Sequence, residues 1–247
     1  MSASFPTSIK SWTPKTNDVD LVDAQHINQA FEEIIAIQTF LKSYFDWDGT
    51  NGARIGNIAS GNFLQVDPGG TLIFKGTSTV WKDVDFPVII KTTGSGVPTI
   101  TTVSGGIQRP QWAVNDTLQL EGKEFPHEWK VGSDVNWHLH MITNGLEAVD
   151  KYVKWEIEWM FANKDGQCTT LTQSYEYKIP ANTPDKTHIL IPIYAWTPTG
   201  ILLAAHVWPK LKRIASAGAA PAANPWLEML QLHVECDMAG SHDITTK

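Results

Sequence analysis

The segment "KYVKWEIEWMFAN", residues 151–163, constrains this chain more tightly than any other. Val153, Trp155, Ile157, Trp159 and Phe161 alternate with Lys154, Glu156 and Glu158. A period of two gathers the apolar side chains on one face of an extended strand and scatters them around a helix. A strand with one wet face needs neighbours in a sheet and a second layer over its dry face. The segment "LQLHVECD", residues 230–237, repeats the pattern with Leu230, Leu232, Val234 and Cys236 against Gln231, His233, Glu235 and Asp237. "THILIPIYAW" and "GILLAAHVW" are more continuously apolar and are predicted to be central strands of the packed sheets. Turn residues separate these runs, at Asn163–Gly166 and at Thr183-Pro184-Asp185, and the small-residue stretch "RIASAGAAPAANP" is predicted to be a loop. Many strands and antiparallel alternation point to a two-sheet sandwich with jelly-roll topology.

One stretch breaks the β pattern. In "HINQAFEEIIAIQTFLKSYF", residues 26–45, Ile27, Phe31, Ile34, Leu41 and Phe45 follow a spacing that alternates four and three once Gln38 is placed in the gap. That is a heptad seam, predicted as a helix of about 30 Å with Asp23 as its N-cap. Ile35, Ile37 and Phe40 widen the apolar surface beyond the seam.

The composition sets outer limits. A chain of 247 residues, 42% hydrophobic and 18% charged, can bury a core. Eleven Trp residues suit a sandwich core or a buried subunit contact. A net charge of −7 without a dense Lys/Arg tract argues against a phosphate-binding surface, so no nucleic-acid partner is expected. No apolar run reaches signal-peptide or membrane-helix length, so no membrane association and no export are expected. Cys168 and Cys236 are read as free thiols, consistent with assembly in a reducing host cytoplasm.

Residues 1–22 mix Ser, Thr, Pro and Asp with the single hydrophobes Phe5, Ile9 and Trp12. Such a segment is either a frayed terminus or an arm that gains order on a partner. Residues 46–79 carry the turn pairs Asp48-Gly49, Asn51-Gly52 and Pro68-Gly69-Gly70 between short β runs. These strands are too short to bury much alone, and they are expected to form a connector that packs on other chains. Asp46, Asp48 and Asn51 resemble part of a calcium loop, but the distal bidentate Glu of an EF-hand is missing, so ordinary turn chemistry is expected.

The strongest chemical candidate is "GSDVNWHLH". His138 and His140 share one strand face, and Gly132 precedes them with the spacing of a cupin-like G-x5-H-x-H motif. A metal site would need further ligands, which His127, His188, His206 or His233 could supply. Glu147 lies too far along for the cupin spacing, and histidines hydrogen-bonded in a core or interface are the alternative. The sequence carries no G-x-S-x-G, H-E-x-x-H, phosphate loop or C-x-x-C. Glu156 and Glu158 are expected on the solvated side of their strand. Neither a catalytic residue nor a cofactor is expected.

Two parts of the sequence are familiar. "FPTSIKSWTPKTNDVDLVDAQHINQAFEEIIAIQTFL" resembles a recurrent N-terminal segment of bacteriophage fibre and tail-associated proteins, an arm followed by "A-x-H-I-N … E-I-x-A-I-Q … L". From Val80 onward the chain resembles a β-sandwich domain of phage virion proteins, through "VWKDVDFP", "FPHEWKVGSDVNWHLH", "KYVKWEIEWMFAN" and "DMAGSHD". It departs from that pattern at the histidine pair, where Trp137 precedes and Met141 follows in place of Pro and Trp.

The resemblance implies a non-enzymatic structural protein, a homotrimeric fibre or spike on the virion. Four parts are expected: an attachment arm (1–22), a coiled-coil trimerisation helix (23–45), a β-rich connector (46–79) and a jelly-roll-like sandwich (80–247). The seam residues Ile27, Phe31, Ile34, Gln38, Leu41 and Phe45 would hold the trimer. Phe5, Ile9 and Trp12 would bind a capsid or tail protein, and the sandwich could meet a host surface glycan. A head fibre is preferred over a tail receptor-binding fibre because the chain is short. A cupin-like metalloenzyme built on His138 and His140 is the rival from another class.

Overall fold

The computed structural model describes residues 24–90 and 94–240, which fall into two compact units dividing between Thr79 and Val80. Asp23 and the arm residues Phe5, Ile9 and Trp12 lie outside the described residues.

The first unit opens with α1 (Ala24–Tyr44) and continues into a four-stranded antiparallel meander. Its strands are β1 (Phe45–Asp48), β2 (Gly52–Asn57), β3 (Asn62–Val66) and β4 (Leu72–Lys75), side by side in chain order. Lys42 lies in the last turn of α1, where a cation suits the carbonyl end of the helix. Beyond it Ser43 accepts a backbone hydrogen bond from Ile58 at 3.2 Å.

The heptad spacing runs one residue further than the helix. Phe45 opens β1 and pairs with Ile55, because the alternation in Phe45-Asp46-Trp47 suits a pleated edge better than another helical turn. The hairpin between β1 and β2 uses Gly52 at φ 76°, where a side chain would also collide with the Val66 carbonyl. Asp46 forms an ion pair with Arg54, whose guanidinium lies 5.7 Å from the centre of the Phe63 ring. The Gln65 amide donates to the Asn51 carbonyl at 2.7 Å. Asp46 and Asn51 are thus engaged in pairing and turn contacts.

The second unit is a two-layer β structure. Its strands are β5 (Val80–Pro87), β6 (Thr99–Ser104), β7 (Ile107–Gln111), β8 (Thr117–Gln119), β9 (Lys123–Glu124), β10 (Val135–Ile142), β11 (Lys151–Ala162), β12 (Thr169–Ile179), β13 (His188–Trp196), β14 (His206–Ile214) and β15 (Trp226–Cys236). One sheet runs β13-β10-β15-β5, with the β6–β7 hairpin joined to β15 at Trp226. The other runs β12-β11-β14, with β8 and β9 both on the far edge of β14. All of these pairings are antiparallel.

The period-two pattern decides which faces meet. Val135, Trp137, Leu139 and Met141 on β10 are buried, as are Leu230, Leu232 and Val234 on β15. Val153, Trp155, Ile157 and Trp159 on β11 are buried with them in one core. Trp137 and Trp159 stack with ring centroids 3.3 Å apart, and Trp112 meets Trp155 edge-on at 5.4 Å. The rings join the two layers. On the wet side of β11, Glu158 takes a hydrogen bond from Lys210 of β14 at 2.6 Å, as a solvated strand face should.

The expected strand "GILLAAHVW" begins later than its apolar run suggests. Ile201, Leu203 and Ala205 are buried, but they lie in a connection, and β14 starts at His206. Cys168 is exposed and Cys236 buried, and the two are not joined in a disulfide.

One charge sits in the core. Arg213 on β14 is 1% exposed, and its Nη1 donates to the Trp112 carbonyl at 2.5 Å and to Asn224 Oδ1 at 2.7 Å. Burial pushes the Arg213 pKa below its ordinary value, and the Asp116 carboxylate opposes that shift. Replacing Arg213 with Met keeps the volume but takes the donor from the Trp112 carbonyl and Asn224 Oδ1 and removes the cation that acts on the buried Asp116 carboxylate. A loss of about 3–5 kcal/mol is expected in urea unfolding. Pairing it with Asp116→Asn should recover part of that loss, and a loss below about 1 kcal/mol for Arg213→Met alone would contradict this account.

Candidate functional site

Two surfaces carry the sequence-predicted residues, one in each unit. On α1 the seam positions are exposed: Ile27 47%, Phe31 59%, Ile34 48% and Leu41 46%. Ile35 and Ile37 are exposed beside them, and Gln38 is exposed within the seam. A helix of 21 residues spans about 32 Å, the length of three heptads or about six turns, with the seam along one side. Phe40 packs instead on Tyr44, with ring centroids 4.9 Å apart. An apolar stripe of this length left open to water is costly, because each large aliphatic or aromatic side chain gains about 1.5–3 kcal/mol on full burial.

In the second unit, His138 and His140 face outward, since their strand turns Trp137, Leu139 and Met141 to the core. The pair therefore does not line the sandwich interior. Both rings meet one atom on β15: the Oε1 of Gln231 lies 2.6 Å from His138 Nε2 and 2.5 Å from His140 Nε2. A carbonyl oxygen only accepts, so both Nε2 atoms carry hydrogen. On its other side, His140 Nδ1 shares a hydrogen bond with His188 Nε2 on β13 at 2.9 Å. At the other end, Gln231 Nε2 donates to Asp85 on β5 at 2.6 Å. Beside this row on the same sheet, His233 bonds Asp83 at 2.7 Å, stacks on Trp81 at 4.7 Å and lies 6.2 Å from the His138 ring.

The result is a hydrogen-bonded row across four strands. Of the four further histidines considered as ligands, the fold brings His188 and His233 to this row. His127 bonds Glu124 at 3.1 Å, and His206 packs on Trp208 at 4.4 Å. Among the described residues, no cluster of three or more His, Cys, Asp or Glu side chains is placed to hold a metal ion. Gln231, Asp83 and Asp85 were not singled out from sequence, although "VWKDVDFP" and "LQLHVECD" both put them on the polar side of an alternating strand. A shallow depression beside the row, about 520 Å³, is lined by His138, Leu190, Pro192 and His233 among others. Among the described residues no helix is long and apolar enough to cross a membrane.

No protein-family model matches the chain, and no curated protein matches it. Among solved structures, partial likeness is found to the VP2 subviral particle of infectious bursal disease virus, at 9% identity and a TM-score of 0.32, covering 67% of this chain and 34% of that one. The Gx strain of the same virus is similar at 12% identity and a TM-score of 0.34, over 74% and 40% of the two chains. Its T=1 particles are similar at 12% and 0.32, over 76% and 44%. This chain thus spans less than half the length of each of those chains. Superposition at this level carries no function from those particles to this protein.

Proposed function

We propose that this chain is a non-enzymatic structural protein of a bacteriophage virion, a homotrimeric fibre or spike anchored by its N-terminal arm with the sandwich turned outward. The observation that carries the reading is the exposed seam of α1. Ile, Phe and Leu at both seam positions favour more than two strands, and most of the stability of such a helix comes from packing its apolar face. A three-stranded coiled coil covers the stripe, and Gln38 near the axis sets the register. Three chains of 27.4 kDa give about 82 kDa, which light scattering on purified protein should report. A monomer at micromolar concentration would remove the basis for the trimer.

The strand order supports a jelly-roll assignment. Counting β8 and β9 as one strand and setting the β6–β7 hairpin aside, the eight strands from β5 to β15 order as 1-8-3-6 in one sheet and 2-7-4-5 in the other. That is the order of two wound Greek keys. A jelly roll is a domain suited to display, with host-surface adhesion, including a glycan, as its further role. A head fibre is the preferred reading, with a tail receptor-binding fibre as the alternative.

Attachment is assigned to the arm. Deleting residues 1–20 is expected to leave a folded trimer that no longer joins particles, measured as its copy number on purified virions. Retention at normal copy number would move attachment to the connector or the sandwich. The histidine row is assigned no metal or catalytic role, because Gln231 and His188 engage both ring nitrogens of His140 and Gln231 engages Nε2 of His138. Elemental analysis of protein prepared without chelator should find no stoichiometric zinc, iron or manganese. Stoichiometric metal lost on His140→Ala would restore the cupin-like alternative.

A further inference from the structure

The meander β1–β4 has two chemically different faces. Residues opposite one another in antiparallel strands share a face, so the register assigns them directly. One row across the sheet is Phe45–Ile55–Leu64–Phe74. The next is Trp47–Ala53–Val66–Leu72. Both rows are apolar on all four strands. On the reverse face the row is Asp46–Arg54–Gln65–Ile73, and its first three members are engaged in an ion pair and an amide–carbonyl bond.

The apolar face is open within the chain. Trp47 is 72% exposed, Phe45 51% and Ile55 49%, and Leu64, Val66, Leu72 and Phe74 are only partly buried. Four strands of four to six residues cannot bury two such rows by themselves. The face is also continuous with the seam of α1. Phe45 is at once the next heptad position after Leu41 and the first residue of the first apolar row.

We propose that the apolar face of β1–β4 is a second self-association surface, which packs against the same face of two further copies to close a three-sided β-prism below the helical stalk. The proposal rests on the trimer reading of α1, since the helices bring the three sheets to one axis. The occupant is a copy of this chain because the surface continues a self-complementary seam. A threefold arrangement lets each four-stranded sheet, about 14 Å across, form one wall of the prism. The Asp46–Arg54 face then points away from the axis.

Thiol labelling of the full-length chain tests this. In a Cys168→Ser background, Ile55→Cys places a thiol on the apolar face, and Lys75→Cys places one at an exposed position of the reverse face, in the Gly56–Phe63–Lys75 row. Maleimide reaction is followed by mass spectrometry, and the mass of each variant by light scattering. The expected result is a trimer in which position 55 reacts at least tenfold more slowly than position 75. A trimer in which both react alike would overturn the prism and leave the helical trimer standing. A trimer protected at both positions would overturn it too, because the sheet would then be covered without regard to face. A monomer or a dimer would overturn the trimer reading and the prism together. Ala53→Cys, a smaller change in the second row, gives the same readout if Ile55→Cys does not fold.

Discussion

Replacing Ile34 with Asp is expected to lower the mass in solution from about 82 kDa to the 27.4 kDa of one chain. Ile34 lies mid-way along the seam and is 48% exposed in the single chain. In a three-stranded coil its side chain points at the axis, where three carboxylates would face one another out of water. Removing a charge from water costs several kcal/mol even after local relaxation, and like charges at close range add to it. Three such groups outweigh the gain from the remaining seam residues at micromolar concentration. Ile34→Leu should keep the trimer, since it conserves volume and polarity. The sandwich lies in the other compact unit, so its own unfolding transition should stay unchanged in both variants. An undiminished trimer mass for Ile34→Asp would mean that the α1 seam is not what holds the trimer together.

The second large effect is expected in the core. Trp159→Ala should lower the unfolding free energy of the sandwich by about 3–5 kcal/mol. Trp159 is fully buried and stacked on Trp137 of the opposite layer, so truncation leaves a hole that neither sheet can close alone. Against a typical total of about 5–15 kcal/mol, that is a large share. The indole N–H of Trp159 has no hydrogen-bond acceptor, so Trp159→Phe removes packing without stranding a polar partner, and its cost should be clearly smaller. Urea unfolding measured on both variants separates the two. A loss below about 1 kcal/mol for the Ala variant would show that the stack is not central to stability.

The alternation in residues 151–163 was a sound guide because it encodes burial directly. Its odd-numbered residues from Val153 to Trp159 are buried, and Glu158 holds Lys210 on the wet side. The run 200–208 misled for the converse reason: a buried connection is as apolar as a buried strand, and only the partner strand tells them apart. Phe45 shows the same ambiguity at a boundary, where heptad spacing and strand alternation coincide on one residue. For the histidines, the parity of His138 and His140 predicted a shared face. Their partners could not be read, because they depend on the register between β10 and β15, with Gln231 more than ninety residues away in sequence. The apolar rows of β1–β4 were legible in principle once the hairpin register was known, since each strand alternates.

The pairing of β5 with β15 also has a consequence in time. Val80 lies opposite Cys236 and Pro87 opposite Met229, so the first strand of the sandwich finds its neighbour only in the last described one. β15 also separates β5 from β10, and that sheet has no continuous centre until β15 arrives. A chain emerging from the ribosome N-terminus first therefore exposes its helical seam long before its sandwich can close. Interruption of synthesis before about residue 226 would leave β5 and β10 with unpaired edges and the tryptophan core without one of its walls. Closure of the sandwich therefore waits on β15, and a chain ended before it keeps open strand edges, which are prone to aggregate.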